Sequence, residues 1–380
     1  MRAVEGAMTF TTTLIMRNRW KMSKKKVMLG MSGGVDSSAA AAILLEHGYD
    51  VVGVTMQIWP DMSEERQQVE GGCCSLSAVD DARRVADKLG TLYYVLNFKD
   101  VFQQKVIDYF NHEYLKGRTP NPCIACNRFV KFEAMLKKAV SMGMDFIATG
   151  HYARIGIDEA SGRYLLKKSA AEAKDQTYAL YTMTQEQLSR TLFPIGDLTK
   201  DRVRELARKL GLPVASKPDS QEICFVEHND YGRYIRENTD ANIKPGYFID
   251  HDGNRLGIHK GIIHYTVGQR KGLGITFGKP MFVVAIRPQD NTVVLGDEDE
   301  VFSKSLTASD LNYISIADLR EEMRVTAKIR YSAREAAAVI SPLPKGRVGL
   351  LFDEPQRAIT PGQSAVFYNG DVIVGGGVID

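Results

Sequence analysis

The stretch that decides the fold is Lys26-Val27-Met28-Leu29-Gly30-Met31-Ser32-Gly33-Gly34-Val35-Asp36-Ser37-Ser38. Lys26–Met31 reads as a short buried strand, Ser32–Ser37 as a glycine-rich turn, and Ser38–Glu46 as an Ala/Leu-rich helix stopped by Gly48. Two glycines let the backbone approach a ligand closely, and the amides that follow point out of a helix N-terminus, where anions are favoured. Asp36 is the wrong charge for bare phosphate and the right one for a phosphate-bound Mg²⁺. The turn lacks a Gly-Lys-Ser/Thr ending, and its spacing fails the dinucleotide fingerprint.

Outward from this turn, strands and helices alternate. Val51–Met56 and Thr91–Leu96 read as strands, Ser77–Leu89 and Asp100–Lys116 as helices, Asn127–Met142 as a helix and Phe146–Thr149 as a strand. That alternation predicts a parallel sheet covered on both faces. Thr199–Leu210 is its last clear helix, with Val203, Leu206, Ala207 and Leu210 on one stripe. Residues 216–280 are rich in Gly, Lys and His, with an Asp252-Gly253 turn. From Met281 the strands are short and β-branched, including Arg324–Tyr331, and Asn369-Gly370 is a hairpin signal. The expected division is an extension at 1–25, an α/β domain at 26–215, a small central domain at 216–280 and a β-barrel at 281–380.

Composition narrows the class. The 380 residues carry 49 basic and 46 acidic side chains, a net charge of +3. Residues 1–26 hold seven of the basic ones and Glu5, so the remainder balances at −3. Any nucleic-acid surface is therefore a local patch on a near-neutral body. The tail reads as a disordered extension, or as a start upstream of Met22. No apolar run approaches the roughly 18 residues that span a bilayer. Five cysteines, Cys73, Cys74, Cys123, Cys126 and Cys224, form an odd, sparse set, which suits reduced thiols in the cytoplasm.

Two further constellations carry chemistry. In Thr119-Pro120-Asn121-Pro122-Cys123-Ile124-Ala125-Cys126-Asn127, two prolines stiffen a loop that leads into a helix. Cys126 is expected just before that helix, where the dipole favours its thiolate. Far along the chain lies Asp219-Ser220-Gln221-Glu222-Ile223-Cys224-Phe225. On residue type alone Cys224 is a buried small hydrophobe.

Strand-Ser-Gly-Gly-Val-Asp-Ser-helix resembles the pyrophosphate loop of the ATP pyrophosphatases, which cut ATP between the α- and β-phosphates. With it stand Gly117–Pro122, Cys126-Asn127, Ala148-Thr149-Gly150-His151-Tyr152, Lys174-Asp175-Gln176 and Ile223-Cys224-Phe225. Gly268-Gln269-Arg270-Lys271-Gly272-Leu273-Gly274 and Thr360-Pro361-Gly362-Gln363-Ser364-Ala365 complete the set. Together, in this order, these motifs resemble the tRNA-specific 2-thiouridylase family from about Val27 to the C-terminus.

The resemblance implies adenylation of the 2-position oxygen of the wobble uridine, position 34, in tRNAs for Lys, Glu and Gln. Sulfur then replaces that oxygen, releasing AMP and pyrophosphate. Cys224 matches the persulfide carrier and Cys126 the nucleophile. Gly30, Met31, Ser32, Gly33, Gly34, Val35, Asp36, Ser37, Met56 and Gly150 match the ATP contacts. Asn121, Pro122, Cys123, His151, Lys174, Asp175, Gln176, Arg330, Tyr331 and Gln363 match tRNA contacts. His151 also reads as a satisfied core histidine, and Lys174–Gln176 as a solvated loop. The implied cofactors are ATP and Mg²⁺, and the implied partners are tRNA and a cysteine desulfurase or persulfide carrier protein. The protein is expected to act as a cytoplasmic monomer with no membrane contact.

One departure stands out: Cys123 occupies a position where the family commonly has Asp. Three options stay open: an iron–sulfur cluster on Cys123, Cys126 and Cys224, a redox pair, or a spare thiol. Two other readings of the chain also remain. One is an ATP pyrophosphatase-type synthetase with another acceptor, which would not need Cys126 and Cys224. The other is a non-catalytic RNA-binding or sulfur-carrier protein, which would not need the intact loop.

Overall fold

The computed structural model describes residues 24–58, 76–215, 217, 223–226, 230–276 and 278–380. The N-terminal extension, Cys73-Cys74 and Asp219–Glu222 lie outside the described residues.

Strand β1 (Lys26–Gly30) pairs in parallel with β2 (Asp50–Gln57) on one side and β4 (Phe146–Ala148) on the other. With β3 (Leu92–Asn97) and β7 (Thr191–Leu192), which follows the short helix α5 (Gln185–Ser189), the sheet order is β3-β2-β1-β4-β7. Side chains alternate across a strand. Val27 and Leu29 therefore join one core with helices α1 (Val35–Glu46), α2 (Leu76–Leu89) and α6 (Lys200–Lys209). Met28 joins the opposite core with helices α3 (residues 99–115) and α4 (residues 122–141). Both faces are covered, as the strand–helix alternation predicts. Helix α1 is buried nearly all round, between the sheet, α2 and α6, and its alanines permit the close approach.

The middle of the chain departs from the expected boundary. Helix α7 (Tyr231–Glu237) leads into β8 (Gly246–Ile249) and β9 (Arg255–His259). Strands β10 (Phe282–Arg287) and β11 (Thr292–Gly296) complete this sheet, in the order β10-β11-β8-β9. The division falls after Gly296, not at 280. Local pattern could not show this, because β11 pairs in parallel with β8, across more than forty residues. Phe248, Tyr265, Val283, Val293 and Leu295 form the small core.

A six-stranded barrel follows, built from β12 (Phe302–Tyr313), β13 (Met323–Lys328), β14 (Ala336–Leu343), β15 (Arg347–Arg357), β16 (Ser364–Asn369) and β17 (Val372–Ile379). The pairing of β12 with β17 closes it. Asn369 faces Val372 across the predicted hairpin, with Gly370 at φ 62°. The expected strand Arg324–Tyr331 ends at Lys328, which leaves Arg330 and Tyr331 in the turn beyond it.

The barrel is fastened to the first domain. Hairpin β5 (Ala153–Ile157) and β6 (Tyr164–Lys168) extends the barrel sheet beside β17. Asn312 donates to the carbonyls of Tyr181 and Met183 at 2.6 and 3.0 Å. The backbone of Gly376 lies so near Tyr181 that an added Cβ would sit 2.7 Å from its ring and 2.8 Å from the Ala365 carbonyl. Gly376→Ala should lower unfolding stability by about 1–3 kcal/mol through overpacking. A denaturant midpoint equal to that of the unaltered protein would refute this close approach.

Candidate active site

The glycine-rich turn leaves the sheet at the point where the strand order reverses, between β1 and β4, the usual place for a ligand crevice in such sheets. Gly30 lies between Met56 and Ala148, each 3.7 Å from where a Cβ would be. Gly33 has φ +64°, and a Cβ there would meet the Ala78 carbonyl at 2.3 Å. Ser37 Oγ accepts from the Ser32 amide at 3.2 Å and donates to the Gly34 carbonyl at 3.2 Å, which closes the loop on itself. Gly34 is the N-cap of α1 and supplies no side-chain cap, so no side chain competes for the first-turn amides of Val35, Asp36 and Ser37. Gly150, just beyond β4, packs so tightly on this turn that a Cβ would lie 2.6 Å from the Ser37 nitrogen. The residues assigned to ATP at 30–37, 56 and 150 therefore meet at one end of the sheet.

Two cations missed by sequence reasoning complete the turn. Lys200 Nζ lies 2.8 Å from each carboxylate oxygen of Asp36, and Tyr152 donates its hydroxyl to the same carboxylate at 2.8 Å. Lys217 Nζ donates to the Gly33 carbonyl at 3.2 Å and to Asp81 at 2.8 Å. One signal for Lys200 was available. It opens helix α6 behind the Thr199 N-cap, where the dipole disfavours a cation.

Mg²⁺ is usually bound by one or two carboxylates plus substrate phosphates. Asp36, its carboxylate 29% exposed at an anion-ready turn, fits that single-carboxylate role. Among the described residues, no three of His, Cys, Asp and Glu are gathered to hold a metal ion. The iron–sulfur cluster expected on Cys123, Cys126 and Cys224 therefore does not fit this geometry.

The thiol loop also departs from expectation. Helix α4 begins at Pro122, five residues early, because Asn121 caps it by accepting from the amides of Cys123 and Ile124 at 3.1 and 3.4 Å. Proline suits the first helical position, where no amide is needed. Cys126 is thus not before the helix but in its second turn, at the start of a wide-turn π-helical stretch, Cys126–Ala134. The thiol in the first turn, where the dipole acts, is Cys123, and it is exposed. Cys126 and Cys224 are both half-buried against one core cluster. Phe225 anchors Cys224 there by edge contacts to Phe102 and Phe110 at 5.8 and 5.2 Å.

Several residues assigned to tRNA spend their polar atoms inside the protein. Asp175 accepts from the Ser169 amide at 2.9 Å and the Thr177 hydroxyl at 2.5 Å, and burial pushes its carboxyl up. Gln176 accepts from the Tyr152 amide, and Gln363 donates to the Thr119 carbonyl, at 2.9 and 2.8 Å. His151 pairs with Thr149 at 2.7 Å between Phe132 and Phe193. Burial, with Lys131 nearby, holds its imidazole well below the usual range and so neutral. Arg330 Nη2 donates to the carbonyls of Val267 and Ala358 and to Thr360 Oγ1, at 3.1, 2.7 and 2.5 Å. Tyr331 donates its hydroxyl to the Asp175 carbonyl at 3.4 Å, yet the residue is 47% exposed, with Lys328 Nζ at 5.9 Å from the ring centroid. Burial of its hydroxyl raises the phenol, and Asp175, Lys174 and Cys123 all act on it.

A parallel sheet, a glycine-capped anion turn and an acidic residue beside it define an adenine-nucleotide domain of the ATP pyrophosphatase type. The family model that matches residues 25–228 is described as a tRNA methyl transferase HUP domain. Residues 234–297 match a tRNA methyl transferase PRC-barrel domain and 303–379 an aminomethyltransferase beta-barrel domain. The tRNA-specific 2-thiouridylase MnmA of Acetivibrio thermocellus is 72% identical over 94% of this chain and 100% of its own length. Those of Thermoanaerobacter pseudethanolicus and Clostridioides difficile are 65% and 61% identical, over 93% and 94% of this chain and 98% of theirs. The chain belongs to the tRNA-specific 2-thiouridylase family.

Arg330 joins three segments through one nitrogen, so Arg330→Ala should cost stability directly, by about 1.5–3 kcal/mol for hydrogen bonds from a charged donor. Unfolding in denaturant checks this; an unchanged midpoint would show that these bonds contribute no stability.

Proposed function

We propose that this protein catalyses ATP-dependent 2-thiolation of the wobble uridine, position 34, of tRNAs for Lys, Glu and Gln. The observation that carries the reading is the pairing of the anion turn with two distant thiols, Cys126 and Cys224, packed on one core cluster of the same domain. The family descriptions name methyl transfer; that chemistry needs neither a pyrophosphate turn nor two thiols.

A uracil carbonyl oxygen is a poor leaving group. In the first step it forms a bond to the α-phosphorus of ATP while the bond to the bridging oxygen breaks. The electron pair leaves on pyrophosphate and the uracil N3 proton goes to solvent. Residues 32–37 present amides and hydroxyls to the departing pyrophosphate. Asp36 and the phosphates would hold Mg²⁺, which would supply charge neutralisation there.

Cys224, loaded as a persulfide, is the sulfur donor. Its terminal sulfur attacks C2 and AMP leaves. The Cys126 thiolate then attacks the Cys224 sulfur, the persulfide S–S bond breaks onto the sulfur now on C2, and a Cys126–Cys224 disulfide remains. An external dithiol restores both thiols, and a cysteine desulfurase or persulfide carrier reloads Cys224. Cys123 lies one helical turn before Cys126, which supports a redox pairing of these two.

Tyr331, an exposed aromatic with Lys328 Nζ 5.9 Å from its ring centroid, supports a stacking platform for the extruded base. No helix among the described residues is long and apolar enough to cross a membrane. The cytoplasm, where tRNA, ATP and reduced thiols coexist, suits this chemistry, and the protein is proposed to act there as a monomer.

Pyrophosphate release dependent on tRNA tests the reading. Release with a small acceptor instead would point to another synthetase, and no release to a carrier protein. Cys224→Ser should abolish thiolation, read by mass spectrometry of the nucleosides, while tRNA-dependent AMP transfer persists. Asp36→Ala should lose the transfer itself. Lys328→Ala should weaken tRNA binding and lower the salt slope by about 1, whereas unchanged binding would move the platform elsewhere.

A further inference from the structure

The pairing of Asp36 with Lys200 is at odds with the metal role given to Asp36. A carboxylate that serves a metal ion cannot keep both oxygens on an ammonium. Yet Lys200 Nζ sits 2.8 Å from each oxygen of Asp36, with its side chain only 11% exposed. Tyr152 donates its hydroxyl to the same carboxylate at 2.8 Å. The ammonium also stands near the Tyr152 ring, 5.9 Å from its centroid. Lys200 is thus held over the first turn of α1, where the uncapped amides would meet phosphate.

We propose that Lys200 is a catalytic residue held in reserve: it neutralises Asp36 in the nucleotide-free enzyme and moves to the phosphates when metal-bound ATP arrives. The proposal rests on the nucleotide reading above. The move exchanges one anionic partner for another and leaves the charge count unchanged. Asp36 is released to the metal, and the ammonium meets the oxygens on which the electron pair of the broken phosphate bond settles. Positive charge at a leaving pyrophosphate is worth most where it is already in place. Two consequences follow, of opposite sign. Lys200 competes with a cation for Asp36 when no nucleotide is present. It assists pyrophosphate departure when nucleotide is present. A lysine that only braced the fold would show neither.

The test uses the full-length protein. Mn²⁺ binding without nucleotide, read by electron paramagnetic resonance, should tighten in Lys200→Gln by on the order of tenfold and vanish in Lys200→Gln combined with Asp36→Asn. In the same Lys200→Gln protein, tRNA-dependent pyrophosphate release should fall by about 10²-fold, with partial recovery in Lys200→Arg. Mn²⁺ affinity that is unchanged or weaker, or release within about threefold of the unaltered enzyme, would overturn the proposal. If Lys200→Gln fails to fold, the unaltered protein answers by amine acylation read by mass spectrometry. Mn²⁺ alone should raise labelling of Lys200, and ATP with Mg²⁺ should suppress it; constant labelling would refute the exchange. The unaltered enzyme's own pyrophosphate release separates the two levels. If it releases none with tRNA, the functional reading fails, whereas the Mn²⁺ measurement still judges the competition.

Discussion

The fold depends on one tight approach. Gly150, leaving β4, lies against the Ser37 amide, while Gly33 lies against Ala78 at the head of α2. Neither position has room for a Cβ. These contacts clamp the turn after β1 from both sides and hold the first-turn amides of α1 open, with no side-chain cap competing for them. An anion site made of backbone needs this rigidity, because amides that could turn toward other acceptors would lose their free energy of binding.

A second constraint acts at the junction of the three units. Thr119 donates its amide to the Pro361 carbonyl at 2.9 Å and receives Gln363 on its own carbonyl. Its hydroxyl meets that of Thr266 at 3.2 Å. Arg118 reaches the Ile379 carbonyl at 2.9 Å, and Arg330 ties Val267 to Ala358 and Thr360. Segments 117–122, 266–269 and 358–363 thus brace one another, and the first of them carries Cys123 and Cys126 onward. Half-buried charged donors such as Arg330 are costly to unpair, which helps hold the junction together. Motifs that read as substrate contacts in the chain also hydrogen-bond to one another here, beside the segment that carries Cys123 and Cys126.

Much of this was legible locally. The strand–turn–helix around Ser32–Ser37 has a backbone requirement, close approach and an open helix end, that only a few residue types meet. The Asn369-Gly370 hairpin and the apolar stripe of α6 are similar short-range choices. The start of α4 is hidden in the sequence because Asn121-Pro122 suits a stiff loop as well as it suits a cap followed by proline at the first helical position. That shift of one turn exchanges the roles of two thiols: the dipole acts on Cys123, while Cys126 lies in the wide turn beyond.

By itself the chain's sequence determined the parallel sheet, the anion turn, the closing hairpin and the family, since each rests on contacts among neighbours or on an ordered set of motifs. Tertiary structure alone decided the rest. The parallel pairing of β11 with β8 placed β10 and β11 in the central unit, because strand partners far apart in sequence leave no local trace. It likewise chose Lys200 as the partner of Asp36 across 164 residues, and turned Arg330, Asp175 and Gln363 inward. Hydrogen-bond direction is set by what packs opposite a side chain, and residue type carries no record of that.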